Sequence, residues 1–425
     1  MNGKMKKVYI ETNGCAVQRN ETQRYAKFFR LNGWKEIDNP SDADLILMTT
    51  CGVVQWTEDK AIEAIKRLVK GKSKEIPMII GGCLPKINPE RIKKISPNLY
   101  MFPPTEPEFL DRFINAKISI KDIRFNINPV REHSFGDPEI SYSDEEKEQL
   151  KISSYFDKKF NSKKFSIIYN YLTKGKHLWK EEGLFEVKVA SGCAGHCSYC
   201  ATKLAIGDIQ SSDPEVIFNE VKEGVKQGFK KILLTGDEVG FYGIDLGISI
   251  VDLIKKLDSI KGDFKIGLRY VHPNALLNNY KELKKYFESG RIYYFCCAIQ
   301  SGSNKILKLM NRSENIEKIS DIIQDLDKNY PEVIKHTQII VGFPNETIED
   351  FQKTLEILKK CNFDYITSTA YADRYNTKAI NLKNHVTSEE IKRRYGISLN
   401  FISENRNKQF WRRIQRELIK QIDKK

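Results

Sequence analysis

The sequence predicts an α/β protein with an N-terminal parallel-sheet domain, a partial (β/α)6 barrel and a basic helical segment at the C-terminus. Three observations predict it. Short apolar runs alternate with amphipathic stretches three times before residue 115, and the alternation returns six times after residue 183. Strands separated by helices at this spacing pair in parallel, with helices on both faces of the sheet. Between the two runs the pattern breaks down, and beyond residue 386 Lys and Arg crowd a helical stretch.

In the first domain, residues 1–115, strands are read at 8–12, 44–48 and 77–81, with helices through 24–29 and 61–65 and near 89–92. Residues 116–182 differ. Asp137-Pro138 and the acidic Ser143-Asp144-Glu145-Glu146 give way to Lys158-Lys159 and Lys163-Lys164, with Tyr and Phe scattered among them. The stretch reads as a flexible linker or as a folded flap or lid. In residues 183–385 the strands fall at 185–190, 231–234, 265–268, 293–298, 336–341 and 365–369. Six such units close naturally as an open, partial barrel. Residues 386–425 hold the basic helix, with Lys392, Arg393, Arg394, Arg406, Arg412, Arg413 and Arg416. Either these charges lie along phosphates, or Phe401, Phe410, Trp411 and Ile414 pack across the barrel while the charges stay solvated.

The 425 residues, 40% hydrophobic and 11% aromatic, suffice for two or three domains. No apolar run is long enough to span a bilayer. The first residues run directly into a strand, so no signal peptide is read and a cytoplasmic location is expected. A formal charge of +14 suits a polyanion such as RNA, and equally suits a Lys-rich solvated surface. Nine Cys, an odd number without an export signal, argue for thiolate chemistry over a disulfide framework.

The strongest signal is Gly192-Cys193-Ala194-Gly195-His196-Cys197-Ser198-Tyr199-Cys200, directly after the first barrel strand. A loop with a three-residue and then a two-residue gap points three thiolates at three irons of a cubane cluster. The fourth iron is left open, and it can take the amino and carboxylate groups of S-adenosylmethionine (SAM). Tyr199 is placed to cover the cluster and pack near adenine. A zinc site would close with four ligands, and His196 as the fourth would lie between two others in a tight loop.

A second set is spread wider. Cys15, Cys51 and Cys83 each follow one of the first three strands, in Asn13-Gly14-Cys15, Thr50-Cys51-Gly52 and Gly81-Gly82-Cys83. The carboxyl ends of parallel strands share one edge, where ligands bind. Three Cys at equivalent strand ends, beside small residues that permit close approach, imply a second cluster with an open iron. Cys296, Cys297 and Cys361 lack such a pattern and read as packing residues.

With both sets in view the chain resembles the radical-SAM methylthiotransferases, over about residues 5–110 and 183–415. Besides the cysteine motifs, the resemblance rests on Leu234-Thr235-Gly236-Asp237, Tyr242-Gly243, Gln300-Ser301-Gly302-Ser303 and Met310-Asn311-Arg312. It continues through Ile339-Ile340-Val341-Gly342-Phe343-Pro344, Glu346-Thr347, Tyr371-Ala372-Asp373-Arg374 and Thr377. The stretch from Cys193 to Lys203 is similar to the archaeal and eukaryotic branch, known for methylthiolating threonylcarbamoyl-adenosine in tRNA. The resemblance implies two 4Fe-4S clusters, SAM, an electron donor such as flavodoxin or ferredoxin, and a monomer. It also implies the reaction: SAM cleavage at the Cys193 set gives a radical that removes hydrogen from an unactivated C–H bond, and a methylthio group from the other cluster takes its place.

Loops after barrel strands lie at the catalytic mouth. Gly236, Asp237 and Glu238 are therefore expected near SAM, Gly236 because a glycine permits close approach. Arg269 is expected to pair with the SAM carboxylate. Gln300, Ser301 and Ser303 open a helix whose N–H groups and hydroxyls suit polar SAM groups. Gly342 and Phe343 are expected to wall the adenine. Ordinary turn chemistry would account for any one of these motifs alone.

The sequence departs from the family in places. Ala205-Ile206-Gly207-Asp208 stands where Arg-Gly is usual, Gln18 where Asn is usual and Gln338 where Asp is usual. The connector is long, and the C-terminal TRAM domain of most tRNA-modifying members has no counterpart. The readings are therefore a tRNA methylthiotransferase, the same chemistry on a peptide, protein or small molecule, or a non-catalytic iron–sulfur protein in electron transfer or RNA binding.

Overall fold

The computed structural model describes residues 5–14, 16–73, 75–123 and 184–422. The connector expectation and Cys15 lie outside the described residues. The first sheet is formed by β1 (Lys7–Thr12), β2 (Lys35–Ile37), β3 (Leu45–Thr50), β4 (Met78–Gly82) and β5 (Tyr100–Phe102). All pairings are parallel, in the order β2-β1-β3-β4-β5. β3 and β4 are buried at every residue, as a central strand covered on both faces must be. Leu45, Leu47 and Ile79 face Phe28 and Phe29 of α1 (Ala16–Leu31). Ile46, Met48 and Ile80 face Ile62 and Ile65 of α2 (Gln55–Gly71). Three short helices follow: α3 (Leu84–Ile87), α4 (Pro89–Lys93) and α5 (Phe109–Ile114). Arg24 donates to the carbonyls of Ile120 (2.6 Å) and Ile123 (2.8 Å), so the packed chain of this domain runs on to Ile123.

The second sheet holds β6 (Leu184–Ser191), β7 (Gln210–Ser211), β8 (Lys231–Gly236), β9 (Lys265–Val271), β10 (Ile292–Cys297), β11 (Ile334–Val341) and β12 (Tyr365–Ala370). The order is β12-β11-β10-β9-β8-β6-β7. Six strands are parallel in succession and short β7 is antiparallel to β6, so β12 and β7 remain edges and the barrel stays open. The helices are α6 (Thr202–Ile206), α7 (Pro214–Lys226), α8 (Ile250–Asp258), α9 (Pro273–Glu288), α10 (Asn304–Leu309), α11 (Ile316–Asn329), α12 (Ile348–Cys361) and α13 (Ser388–Ile422). Ser249 with Asp252, and Thr347 with Asp350, close reciprocal caps that start α8 and α12.

α13 lies against β12, with Ile402 buried and Phe401 partly so. Trp411 does not turn inward as one reading expected. It is 61% exposed. Phe410, Arg413, Ile414 and Arg416 have side chains outside the described set. Arg394 is 7% exposed and clasps Glu346 (2.9 Å) and Glu390 (2.7 Å), while Arg412 pairs with Asp327 (2.9 Å). These guanidiniums tie α13 to the barrel, which corrects their candidacy as free phosphate contacts.

Candidate cluster and cofactor site

β6 ends in a turn that only glycine can make. Gly192 has φ of +75°, and a Cβ there would lie 2.0 Å from the Asp208 carbonyl oxygen. The following loop is pinned at every part. The Asp237 carboxylate accepts the Gly192 N–H at 2.9 Å, and the Gly207 carbonyl accepts the Cys193 N–H at 3.3 Å. Ser198 donates its N–H to Met310 (3.0 Å) and its hydroxyl to Leu309 (2.8 Å), and the Asn311 amide donates to the His196 carbonyl (2.8 Å). Lys203 reaches the Cys193 carbonyl and pairs with Asp208 at 2.6 Å.

Each of the three sulfurs accepts an N–H. Gly195 donates to Cys193 Sγ at 3.2 Å, Arg312 Nη1 to Cys197 Sγ at 3.2 Å, and Lys203 N–H to Cys200 Sγ at 3.4 Å. Burial, then the carboxylate of Glu238 and the neighbouring thiols, push the Cys193 thiol up to about 12. Burial also raises Cys200. Three sulfurs on one short loop, each with a donor aimed at it, suit a cationic cluster that takes them as thiolates. The donor set therefore fits a three-cysteine cluster. Among the described residues no three His, Cys, Asp or Glu converge as a single ion requires, and His196 is exposed.

The second set has its stage in the first sheet. β1, β3 and β4 are adjacent and parallel, so the chain positions of Cys15, Cys51 and Cys83 follow the same end of neighbouring strands. Cys51 N–H donates to Asn13 Oδ1 (3.1 Å), and Cys83 N–H to the Thr50 carbonyl (3.0 Å). The small residues have the expected use: a Cβ at Gly82 would lie 2.4 Å from Thr50 O, and one at Gly81 would strike the Phe102 ring. Buried Gln18, packed against Gly14, has an amide Nε2 with no partner among the described residues. This orphan donor beside the Cys15 loop suits an acceptor at that place.

The two cysteine loops meet. α3 follows Cys83 and α6 follows Cys200, and the two helices pack through Ile87, Ala201 and Ala205, with Cys83 against that cluster. Ile206, the departure after the cluster loop, is buried at the end of α6. One segment after β12 holds both loops. Arg374 binds the Gly52 carbonyl (2.5 Å), Gln55 Oε1 (3.0 Å) and the Glu58 carboxylate, and the Ala379 N–H donates to the Ser198 carbonyl (2.9 Å). Lys188 pairs with Glu21 (2.7 Å), and Asn20 bonds Glu186 (2.8 Å), across the same seam.

Several expected SAM contacts gather at this mouth. Arg312 Nη1 donates to the Tyr199 hydroxyl (3.2 Å), and the Tyr199 ring meets buried Phe343 edge-on at 6.3 Å. The Glu238 carboxylate accepts N–H groups from Gly240 and His272, both at 2.8 Å, and burial raises its pKa to about 7. Arg269 is buried, with Nη2 3.0 Å from the Tyr270 hydroxyl and its guanidinium 4.8 Å from that ring. Tyr270 has φ of +64°, so two successive side chains meet instead of alternating across the strand.

Other expectations need a different physical reason. Gly236 accommodates the Ala190 carbonyl, 2.8 Å from where its Cβ would stand. The Ser301 and Ser303 hydroxyls dock α12, at Thr354 Oγ1 (3.4 Å) and Asp350 Oδ1 (2.7 Å). Gln300, with φ of +66°, spends its backbone on Gln338 O and Ile340 N–H, both 2.9 Å. Gly342, at φ of +80°, clears Ile391 of α13 and donates to Glu346 at 2.8 Å. Cys296, Cys297 and Cys361 are buried, as packing residues would be. The residues without an assigned role were Arg312 and Arg374. Both lie in motifs the sequence displays, but no local signal says that they reach the cysteine loops.

Two family models match the chain, one described as the radical SAM superfamily, over residues 187–358, and one as uncharacterized protein family UPF0004, over residues 7–102. The probable threonylcarbamoyladenosine tRNA methylthiotransferase of Pyrococcus horikoshii is 30% identical over 380 residues, 89% of this chain and 80% of that one. The ribosomal protein uS12 methylthiotransferase RimO of a Thermotoga species (strain RQ2) is 28% identical, over 97% of this chain and 87% of that one. The solved structure of TsrM from Kitasatospora setae, a radical S-adenosylmethionine methyltransferase with cobalamin and a 4Fe-4S cluster bound, superposes with a TM-score of 0.55. Its identity is 11%, over 89% of this chain and 77% of that one, a likeness of fold. No helix among the described residues is long and apolar enough to cross a membrane.

Proposed function

The chain belongs to the radical-SAM methylthiotransferase family, and from that premise we propose that it attaches a methylthio group at an unactivated C–H bond of a modified adenosine in tRNA. The observation that carries this reading is the junction of the two cysteine loops, packed through Ile87, Ala201 and Ala205 and held by the single 374–379 segment. Two groups that must act on one substrate atom need such a shared mouth.

Cys193, Cys197 and Cys200 would hold one cluster, and Cys15, Cys51 and Cys83 the other. When bound, the clusters and SAM supply the electron, the hydrogen-abstracting radical and the methylthio group, which no side chain can supply. The protein's part is placement and charge. Asp237, through the Gly192 N–H, fixes where the first loop leaves β6. Arg312 brings a buried positive charge to Cys197 and holds the Tyr199 hydroxyl. Glu238 and Arg269 offer opposite charges for the ammonium and carboxylate of SAM, and Tyr199 and Phe343 wall the adenine. Gly236, Gln300, Ser301, Ser303 and Gly342 shape the mouth through backbone and helix packing. A small redox protein of the flavodoxin or ferredoxin type would deliver the electron.

The tRNA substrate draws support from the name of the Pyrococcus relative and from the net charge of +14. A second reading keeps the chemistry and moves it to a protein side chain, in line with the name of the Thermotoga relative. It is favoured by the use of Arg394 and Arg412 inside the fold. Mass spectrometry of tRNA nucleosides with and without the gene separates the readings. A methylthiolated adenosine that disappears with the gene is expected, and an unchanged nucleoside profile would move the substrate to protein.

A further inference from the structure

We propose that Trp56 and Tyr375 form a stacking platform for unpaired RNA bases at the mouth shared by the two cysteine loops. The proposal rests on the tRNA reading above and names the surface that would grip the substrate. Gln55 and Arg374 bond across the seam at 3.0 Å, and Trp56 and Tyr375 are the next residue on either side. Arg374 also holds the carbonyl of Gly52, beside Cys51, and Ala379 holds the carbonyl of Ser198, between Cys197 and Cys200. The two aromatic residues therefore flank the segment that ties both loops.

Both rings are turned out. Trp56 is 59% exposed and Tyr375 52%, with Val53 at 37% and Ile380 at 38% on the same two segments. The seam needs none of them for cohesion, because Arg374, Glu58 and the Ile87/Ala201/Ala205 contact close it. Exposed apolar side chains gathered at a functional mouth mark a contact surface. The charge around them selects the partner. Lys60 Nζ lies 5.0 Å from the Trp56 ring, and Lys60, Lys86 and Lys378 make no ion pair among the described residues. Asp59 pairs with Arg91 (2.9 Å), and Asp373 lies 3.3 Å from His385. Aromatic faces interleaved with unpaired cations are the recognition chemistry of single-stranded nucleic acid. An adenosine that enters a mouth between two loops must leave its stack, and its neighbours then need new faces to stack on.

The test uses the reconstituted full chain and tRNA that carries the modified adenosine without its methylthio group, with binding measured across a salt series for Trp56→Ala, Tyr375→Ala and Trp56→Phe. Iron content and thermal unfolding report that the site is intact. Each Ala variant is expected to bind tRNA about fivefold to 100-fold more weakly, the range for loss of one stacked base. The salt slope should stay that of the parent, because stacking releases no counterions. Trp56→Phe should recover most of the affinity. Ala variants that bind like the parent, or that lose affinity with a shallower salt slope, would overturn the platform while leaving the tRNA reading in place. A parent that binds no tRNA would remove both.

Discussion

Replacing Arg312 with Met removes a buried positive charge from the loop that carries Cys197 while keeping most of the side-chain volume. In the structure Nη1 lies 3.2 Å from Cys197 Sγ and 3.2 Å from the Tyr199 hydroxyl, Nη2 lies 2.6 Å from Ala298 O, and Nε is shut from solvent without a partner among the described residues. A hydrogen bond to a charged group is worth about 1.5–3 kcal/mol, and here it favours the more negative, reduced state of a cluster on these cysteines. Its loss should lower the one-electron potential by about 65–130 mV, since 59 mV is a tenfold change. The assay is a redox titration followed by electron paramagnetic resonance, with Cys15, Cys51 and Cys83 replaced by Ala so that one cluster reports. Arg312→Lys should fall between parent and Met. A midpoint within about 20 mV of the parent, with iron retained, would refute the electrostatic role.

Arg374→Met leaves Glu58 buried with only Arg91 and Asn88 as partners; a loss of about 3 kcal/mol in denaturant unfolding is expected, and less than about 1 kcal/mol would contradict it. Gly192→Ala sets a Cβ against Asp208 O at a left-handed φ, so the reconstituted chain should lose about four irons with the fold retained, and full iron content would be the contrary result. Arg412→Glu places like charges beside Asp327; it should cost about 1–2 kcal/mol of stability without changing the salt slope of tRNA binding, and a shallower slope at unchanged stability would restore this residue as a phosphate contact.

The repeated strands were legible because each is at least five residues long and most carry a short apolar run between amphipathic stretches, as β3 and β4 illustrate. β2, β5 and β7, of three, three and two residues, are too short to show any period. The meeting of Cys51 and Cys83 at one sheet edge was legible from parallel topology alone, before any side chain was placed. The hydroxyls of Ser301 and Ser303 were not. A serine after a strand serves a ligand or a neighbouring helix equally well, and only the packing of α12 decides between them. Arg312 reaches across 115 residues to Cys197, and Arg374 across 316 to Glu58. The first contact is set by the curling of the second sheet and the second by the packing of one sheet domain on the other, and no local period encodes either. Trp411 misled for a related reason: helical spacing assigns a residue to a face, but which face of a long helix is covered is set by what packs on it, and Trp411 is 61% exposed.

The central claim is that two cysteine sets serve one mouth with separate tasks. The most direct test is the chain with Cys15, Cys51 and Cys83 replaced by Ala, reconstituted anaerobically and given SAM, reductant and tRNA. The account predicts about four irons where the parent holds about eight, continued release of 5′-deoxyadenosine, and no methylthio product. Methylthiolated tRNA from that variant, or a parent that never holds more than one cluster, would contradict it.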